Sequence, residues 1–249
     1  MLAIIGGSGL TQLANLEITH RQVIRTPYGE PSGALSFGKI MDEEVIFLAR
    51  HGYGHTIPPH EVNYRANIWA LQSRGVTDVV SVASVGGIPD EYKPGAIVIP
   101  DQIIDYTHGR KTTYYDGGDK PVTHMDFTEP YCEKMRQMCM QASARAGEEY
   151  IDSGVYAAVQ GPRLETKAEI NRLERDGATM VGMTGMPEAA LAKELGLCYA
   201  AIAVVANYAA GRGNSKHAIS YNEIDAVLKD AMQRVRLILE HLVNIHGGS

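Results

Sequence analysis

Six short apolar runs constrain this chain more than any other feature: LAIIGG, EVIFLAR, DVVSVASVGG, GAIVIPDQIID, GVYAAVQG and CYAAIAVVAN, each bounded by turn residues. A strand with one face in water alternates apolar and polar side chains. A strand covered on both faces is apolar throughout, so these runs fit buried strands, although the short ones also fit buried helix. Between them lie stretches of helical period. In HEVNYRANIWALQSRG, Val62, Ala66, Trp69 and Ala70 share a face, and Gly75 follows as a stop. Residues 129–146 set Tyr131, Met135, Met138, Cys139 and Ala142 on one stripe, with Gly147 after it. In MPEAALAKELG, Pro187 fits a first helical turn and Gly196 an end. A last helix opens with Ser220-x-x-Glu223, a capping-box pattern, and continues with Ile224, Val227, Leu228, Ala231, Val235, Ile238 and Leu242.

Strands alternating with helices from end to end imply an α/β fold, with a largely parallel or mixed central β-sheet flanked by helices. No linker, repeat or low-complexity tract interrupts the pattern, so residues 1–249 are expected to form a single domain. The longest polar stretch, 107–122 (THGRKTTYYDGGDKPV), reads as an excursion loop.

Charge narrows the partners. Lys+Arg number 23 against 29 Asp+Glu, a net charge of −6. A binder of nucleic acid or of an anionic membrane needs a basic face, so neither partner is expected. A small anion is a different matter, because only local charge counts there. No apolar run reaches the ~18 residues of a transmembrane span, and MLAIIGGSGL lacks a basic n-region and an A-x-A-like cleavage site. Cys132, Cys139 and Cys198 form no CxxC pair and leave one unpaired in any disulfide scheme. A reduced, cytoplasmic protein is the expectation.

Six places can carry chemistry, each with a plainer alternative. Gly6-Gly7-Ser8-Gly9 follows the first strand; its glycines let backbone approach an anion, or make a tight turn. It is not a dinucleotide fingerprint, because Gln12 stands where the third glycine belongs. Arg50-His51 ends EVIFLA, where Arg50 can make a two-pronged contact with phosphate or a surface ion pair. His51, His55 and His60 invite a metal reading, but Gly52, Gly54, Pro58 and Pro59 oppose the helix their spacing needs. Ala83-Ser84-Val85-Gly86-Gly87 ends a third strand with small residues. In VQGPRLETKAE, Leu164 and Glu165 precede a helix whose positive end Glu165 can simply favour. Met183-Thr184 enters another helix. Asn207 ends an apolar run, as a strand terminator or as a reader of a polar ligand.

Taken in order, GGSGL, LARHGYGHTIPPHEVNYRANIWAL, VGGI…PGAIVIPDQIIDYT, HMDFTEPYC, QGPRLETKAE, VGMTGMPEAALAKELGLCYAAIAVV and NYAAG cover nearly the whole chain. Together they resemble the trimeric purine nucleoside phosphorylases, in their methylthioadenosine phosphorylase branch. The resemblance implies the fold of that family and a homotrimer with active sites near subunit interfaces. It implies that inorganic phosphate, a co-substrate, attacks C1′ of a purine nucleoside, with no metal or organic cofactor. By position, Ser8, Arg50, His51, Ser84 and Thr184 would hold phosphate, and Met183 would pack along the ribose. Leu164 would line the base site, Tyr221 and Ile224 the 5′-substituent, and His124 would reach the neighbouring subunit's 5′-group.

Two positions select the base. Adenine-specific members of the family carry Asp-x-Asp after the last strand and a small uncharged residue at the position of Glu165. Here Asn207-Tyr208-Ala209 and Glu165 stand instead. Hypoxanthine presents O6 as an acceptor and N1–H as a donor, so the Asn207 amide can donate to O6 and accept from protonated N7 while Glu165 accepts N1–H. Adenine reverses that edge, and a buried mispairing costs about 1–3 kcal/mol. The expected reaction is phosphorolysis of S-methyl-5′-thioinosine to hypoxanthine and 5-methylthioribose 1-phosphate. Asn207 would favour the N7-protonated leaving base and Glu165 would orient it. The alternatives are 5′-methylthioadenosine phosphorolysis, general inosine/guanosine phosphorolysis, metal-dependent hydrolysis at the histidines, and non-catalytic nucleotide binding at GGSG.

Overall fold

The computed structural model describes residues 1–118 and 121–248. Its strands and helices follow in the order β1 (Leu2–Gly6), β2 (Glu17–Gln22), β3 (Leu35–Ile40), β4 (Glu43–Ala49), α1 (Tyr64–Gln72), β5 (Asp78–Gly87), β6 (Ile97–Val98), β7 (Gln102–Asp105), α2 (Glu133–Arg145), β8 (Tyr150–Ile151), β9 (Val155–Ala158), α3 (Lys167–Arg175), β10 (Met180–Gly182), α4 (Gly185–Glu194), β11 (Cys198–Tyr208) and α5 (Tyr221–Gly247). One mixed sheet takes the strand order β2-β3-β4-β1-β5-β10-β9-β7, and β11 pairs with β5 and β6. The parallel set β4, β1, β5 and β11 forms its middle.

The apolar runs are buried strands, and the reason is visible in β1. Ala3 and Ile5 join the core that contains Ile68 and Leu71 of α1 and Leu191 of α4. Leu2 and Ile4 join the opposite core, with Met135 and Cys139 of α2 and Leu239 of α5. β11 divides the same way, Tyr199, Ala201, Ala203 and Val205 to one side, Ala200, Ile202 and Val204 to the other. Helices cover both faces, so neither face of these strands is polar.

Local signals act where expected, with corrections. Asn63 caps α1, accepting from the Ala66 N–H at 3.1 Å, so Val62 packs from just outside the helix. The stripe of α2 is buried from Tyr131 to Ala142. Only half of the Ser220 capping box forms: Ser220 accepts from the Glu223 N–H, while the Glu223 carboxylate turns to the Asn214 amide at 3.2 Å. The run GAIVIPDQIID is two strands, β6 and β7, parted at Pro100, which offers no N–H to a ladder. The described part of the excursion loop, 107–118 and 121–122, holds no helix or strand; Asp119 and Lys120 lie outside the described residues.

The expectation of reduced cysteines is overturned. Cys132 and Cys198 form a disulfide with Cα atoms 5.1 Å apart, and Cys139 is free and buried. The Cys132 N–H donates to the Tyr199 carbonyl at 2.8 Å, bringing the start of α2 against the start of β11. That juxtaposition joins residues 66 apart, beyond the reach of spacing rules. No helix among the described residues is long and apolar enough to cross a membrane.

Candidate active site

A cavity of about 690 Å³ opens where β1, β4, β5, β10 and β11 end. In open α/β sheets that crevice at the carboxyl ends of strands is where ligands bind. Of the phosphate and nucleoside contacts read from the sequence, all but His124 line it: Ser8, Arg50, His51, Ser84, Leu164, Glu165, Met183, Thr184, Asn207, Tyr221 and Ile224; of the three histidines considered for a metal, His60 does not. His124 lies on the exposed stretch before α2 and is not part of the wall.

One end of the cavity gathers glycine backbone, Ser8, Ser84, Thr184 and the Arg50 guanidinium. Gly7 must be glycine, because a Cβ there would stand 2.6 Å from the Val82 carbonyl and 2.8 Å from Arg50 Nη1. The Ser84 hydroxyl donates to the Ser8 carbonyl at 3.2 Å, tying the ends of β1 and β5 together. Thr184 begins α4 without a side-chain capping bond, and its N–H donates to Tyr156 Oη at 3.3 Å.

Arg50 corrects a sequence expectation. Its two-pronged face is turned to Glu188: Nε donates to Oε2 at 2.6 Å and Nη2 to Oε1 at 2.8 Å. Nη2 also donates to Ser81 Oγ at 2.6 Å and Nη1 to the Val82 carbonyl at 3.1 Å. Four of the five N–H groups are thereby committed, leaving one Nη1 hydrogen for the cavity. Burial works against the guanidinium's charge, but the Glu188 carboxylate more than offsets it and raises the Arg50 pKa. Tyr199 Oη donates to Glu188 Oε1 at 2.8 Å and completes the buried cluster. Glu188 escaped the sequence reading, although an acid inside the apolar MPEAALA was a signal.

His51 is neutral near pH 7. Burial, and then the adjacent Arg50 charge, push its pKa down to about 4. Nδ1 lies 2.8 Å from the Ile57 carbonyl, which requires the proton on Nδ1 and leaves Nε2 as an acceptor. Its ring packs against that of His55, with centroids 4.7 Å apart. Among the described residues no group of three His, Cys, Asp or Glu side chains is arranged to hold a metal.

The other end offers amide and carboxylate groups. Thr166 caps α3 in a reciprocal box with Glu169, and Arg163 pairs with Glu169 at 2.7 Å. Glu169 therefore serves the helix end, and Glu165 faces the cavity instead. Burial raises the Glu165 pKa above the ordinary carboxyl value. A register shift between Val205 and Asn207 in β11 brings both Ala206 and Asn207 to the wall. One Asn207 amide hydrogen goes to the Tyr208 carbonyl at 2.7 Å, leaving the second hydrogen and the carbonyl oxygen. Asp225, and Leu228 of the helix's apolar stripe, join Tyr221 and Ile224 along α5.

Known proteins place this architecture. Residues 1–244 match the model of the phosphorylase superfamily. A probable S-methyl-5′-thioinosine phosphorylase of Pseudomonas syringae pv. tomato is 50% identical over 97% of this chain and 98% of its own. A 6-oxopurine nucleoside phosphorylase of Pyrococcus furiosus is 46% identical over 96% of this chain and 90% of its own. Among solved structures, methylthioadenosine phosphorylase from Schistosoma mansoni in complex with adenine superposes with a TM-score of 0.95 at 32% identity, over 100% of this chain and 92% of that one. The chain belongs to the phosphorylase superfamily and is an enzyme of its nucleoside phosphorylase kind.

Proposed function

We propose that this enzyme cleaves S-methyl-5′-thioinosine with inorganic phosphate, giving hypoxanthine and 5-methylthioribose 1-phosphate. The observation that carries the base assignment is Glu165 and Asn207 on one cavity wall, with the capping role at α3 taken by Glu169. In this reading Asn207 donates to O6 and accepts from N7–H, and the Glu165 carboxylate accepts N1–H. The relatives named for thioinosine and for 6-oxopurine nucleosides support it.

The C1′–N9 bond breaks with its electron pair leaving on the base, and a phosphate oxygen forms the new bond to C1′. Ser8, Ser84, Thr184 and the remaining Arg50 N–H hold the phosphate, with His51 beside it. Met183 packs along the ribose, Leu164 along the base, and Tyr221 and Ile224 along the 5′-group. The proton for N7 comes from water, because an amide cannot supply it. Fixed donors aimed at phosphate and at the developing base anion, together with positioning, supply the rate. No metal or organic cofactor enters this scheme. We extend the reading to one domain over residues 1–249, to a cytoplasmic location suited to nucleoside salvage, and to a homotrimer in which His124 reaches a neighbour's 5′-group.

A second substrate class is favoured by one residue. Asp225 places a carboxylate beside Tyr221 and Ile224, and a carboxylate accepts from a 5′-hydroxyl where a methylthio group offers nothing. Inosine is therefore the comparison to make. Phosphate-dependent base release is measured for methylthioinosine, methylthioadenosine and inosine. Turnover of methylthioadenosine equal to or better than that of methylthioinosine overturns the base assignment.

A further inference from the structure

Arg110 lies in the polar loop to which the reaction scheme gives no task. Its guanidinium nevertheless gathers the backbone behind two walls of the cavity. Nη1 donates to the Met183 and Met186 carbonyls at 2.8 and 2.7 Å. Nη2 donates to the Gln160 and Val159 carbonyls at 2.9 and 3.3 Å. Nε donates to Gln160 Oε1 at 3.2 Å, and that oxygen also accepts the His108 N–H at 3.1 Å. The guanidinium carbon sits 5.5 Å from the Tyr64 ring centroid, and Tyr64 Oη donates to the carbonyl of Pro59, another wall residue.

Three separate segments thus converge on one side chain: 183–186, which carries Met183 and Thr184; 159–160, which leads into Leu164 and Glu165; and, through Tyr64, Pro59. Direct packing supports the junction, since a Cβ at Gly161 would collide with Met183 Sδ. Among the described residues Arg110 pairs with no carboxylate; its donors go to main-chain and amide oxygens and, from Nη1, to Tyr64 Oη at 3.3 Å. Lysine has three donors radiating from one nitrogen and cannot span carbonyls on both sides as a planar guanidinium does.

We propose that Arg110 is a positioning residue that locks the phosphate-side segment at Met183–Thr184 to the base-side segment leading to Glu165. It keeps phosphate and base in register across C1′. The inference rests on the phosphorylase reading above. Misplacing reacting groups by about an ångström can cost on the order of a hundredfold in rate. Arg110→Lys and Arg110→Ala are assayed with methylthioinosine, inosine and phosphate, alongside wild type and with unfolding midpoints recorded. The expected result is a fall in kcat of roughly tenfold or more, exceeding the change in either KM, with millimolar guanidinium restoring part of the Arg110→Ala rate. A purely structural residue would lower the midpoint and leave kcat per folded molecule intact, and that result overturns the proposal. An Arg110→Ala loss indifferent to guanidinium also overturns it. A wild-type enzyme inactive on every nucleoside tested overturns the phosphorylase reading instead, so the two failures are distinguishable.

Discussion

Arg50 and Glu188 meet through two hydrogen bonds of 2.6 and 2.8 Å, with both side chains about 1% exposed. The pair joins the end of β4 to α4 across 138 residues of sequence. In the proposed scheme a phosphate at the remaining Nη1 hydrogen meets an already neutralised cation, held in place from behind. Removing the acid leaves a buried, unpaired guanidinium, which costs about 3–5 kcal/mol. Glu188→Ala is expected to lower the urea midpoint accordingly and to raise the KM for phosphate. A midpoint equal to that of wild type would show that the pair bears no such weight.

Arg50 marks how far local sequence reaches. Its place at a strand's carboxyl end was legible, because EVIFLA is apolar and Arg50 follows it. Glu188 stands out as an acid in an apolar helix, but its pairing with Arg50 does not, because contacts across the fold leave no trace in local spacing. The same limit hid the Cys132–Cys198 bond. The central strands were legible because burial on both faces writes an unbroken apolar run. β2 was not, because all six residues of EITHRQ are exposed, and its partner β3 carries Gly38 and Lys39. β10 is three residues long and gave no run of its own. The cavity wall was readable at glycines and isolated polar residues, Gly7, Ser84 and Asn207, that interrupt apolar surroundings. Asp225 was invisible, one acid among several on an exposed helical turn.

Base choice is the sharpest test of the two polar wall residues. Asn207→Asp together with Glu165→Ser removes the acceptor facing N1 and places a carboxylate beside N7 and the exocyclic group. The expected outcome is a shift of the kcat/KM ratio from methylthioinosine towards methylthioadenosine by roughly tenfold or more, since each buried mispairing is worth about 1–3 kcal/mol. An unchanged ratio in the double variant counts against assigning selectivity to these two residues.

The disulfide has a chemical and a thermodynamic consequence. Protein denatured without reductant should alkylate at Cys139 alone, and at all three cysteines after reduction. In the folded protein Cys139 should be inert, because burial raises its thiol pKa to about 12. Closing a loop between residues 66 apart restrains the unfolded chain by up to about 4 kcal/mol. Cys132→Ser with Cys198→Ser should therefore lower the unfolding midpoint and abolish its sensitivity to reductant. Three alkylated thiols in unreduced, denatured protein would refute the bond.

His51 should write a pH dependence into stability. Folded, its pKa is near 4 through burial and the Arg50 charge; unfolded, it returns to 6.5. Between those values the unfolded chain binds a proton that the folded chain does not, so stability falls as pH drops below 6.5 and the decline ends near 4. At pH 5 this group alone costs about 2 kcal/mol relative to pH 7. Urea unfolding in phosphate-free buffer at both pH values measures it. His51→Gln removes the titration and should cut the loss between pH 7 and pH 5 by that amount. An identical loss in the variant would place His51 outside the acid sensitivity of the fold.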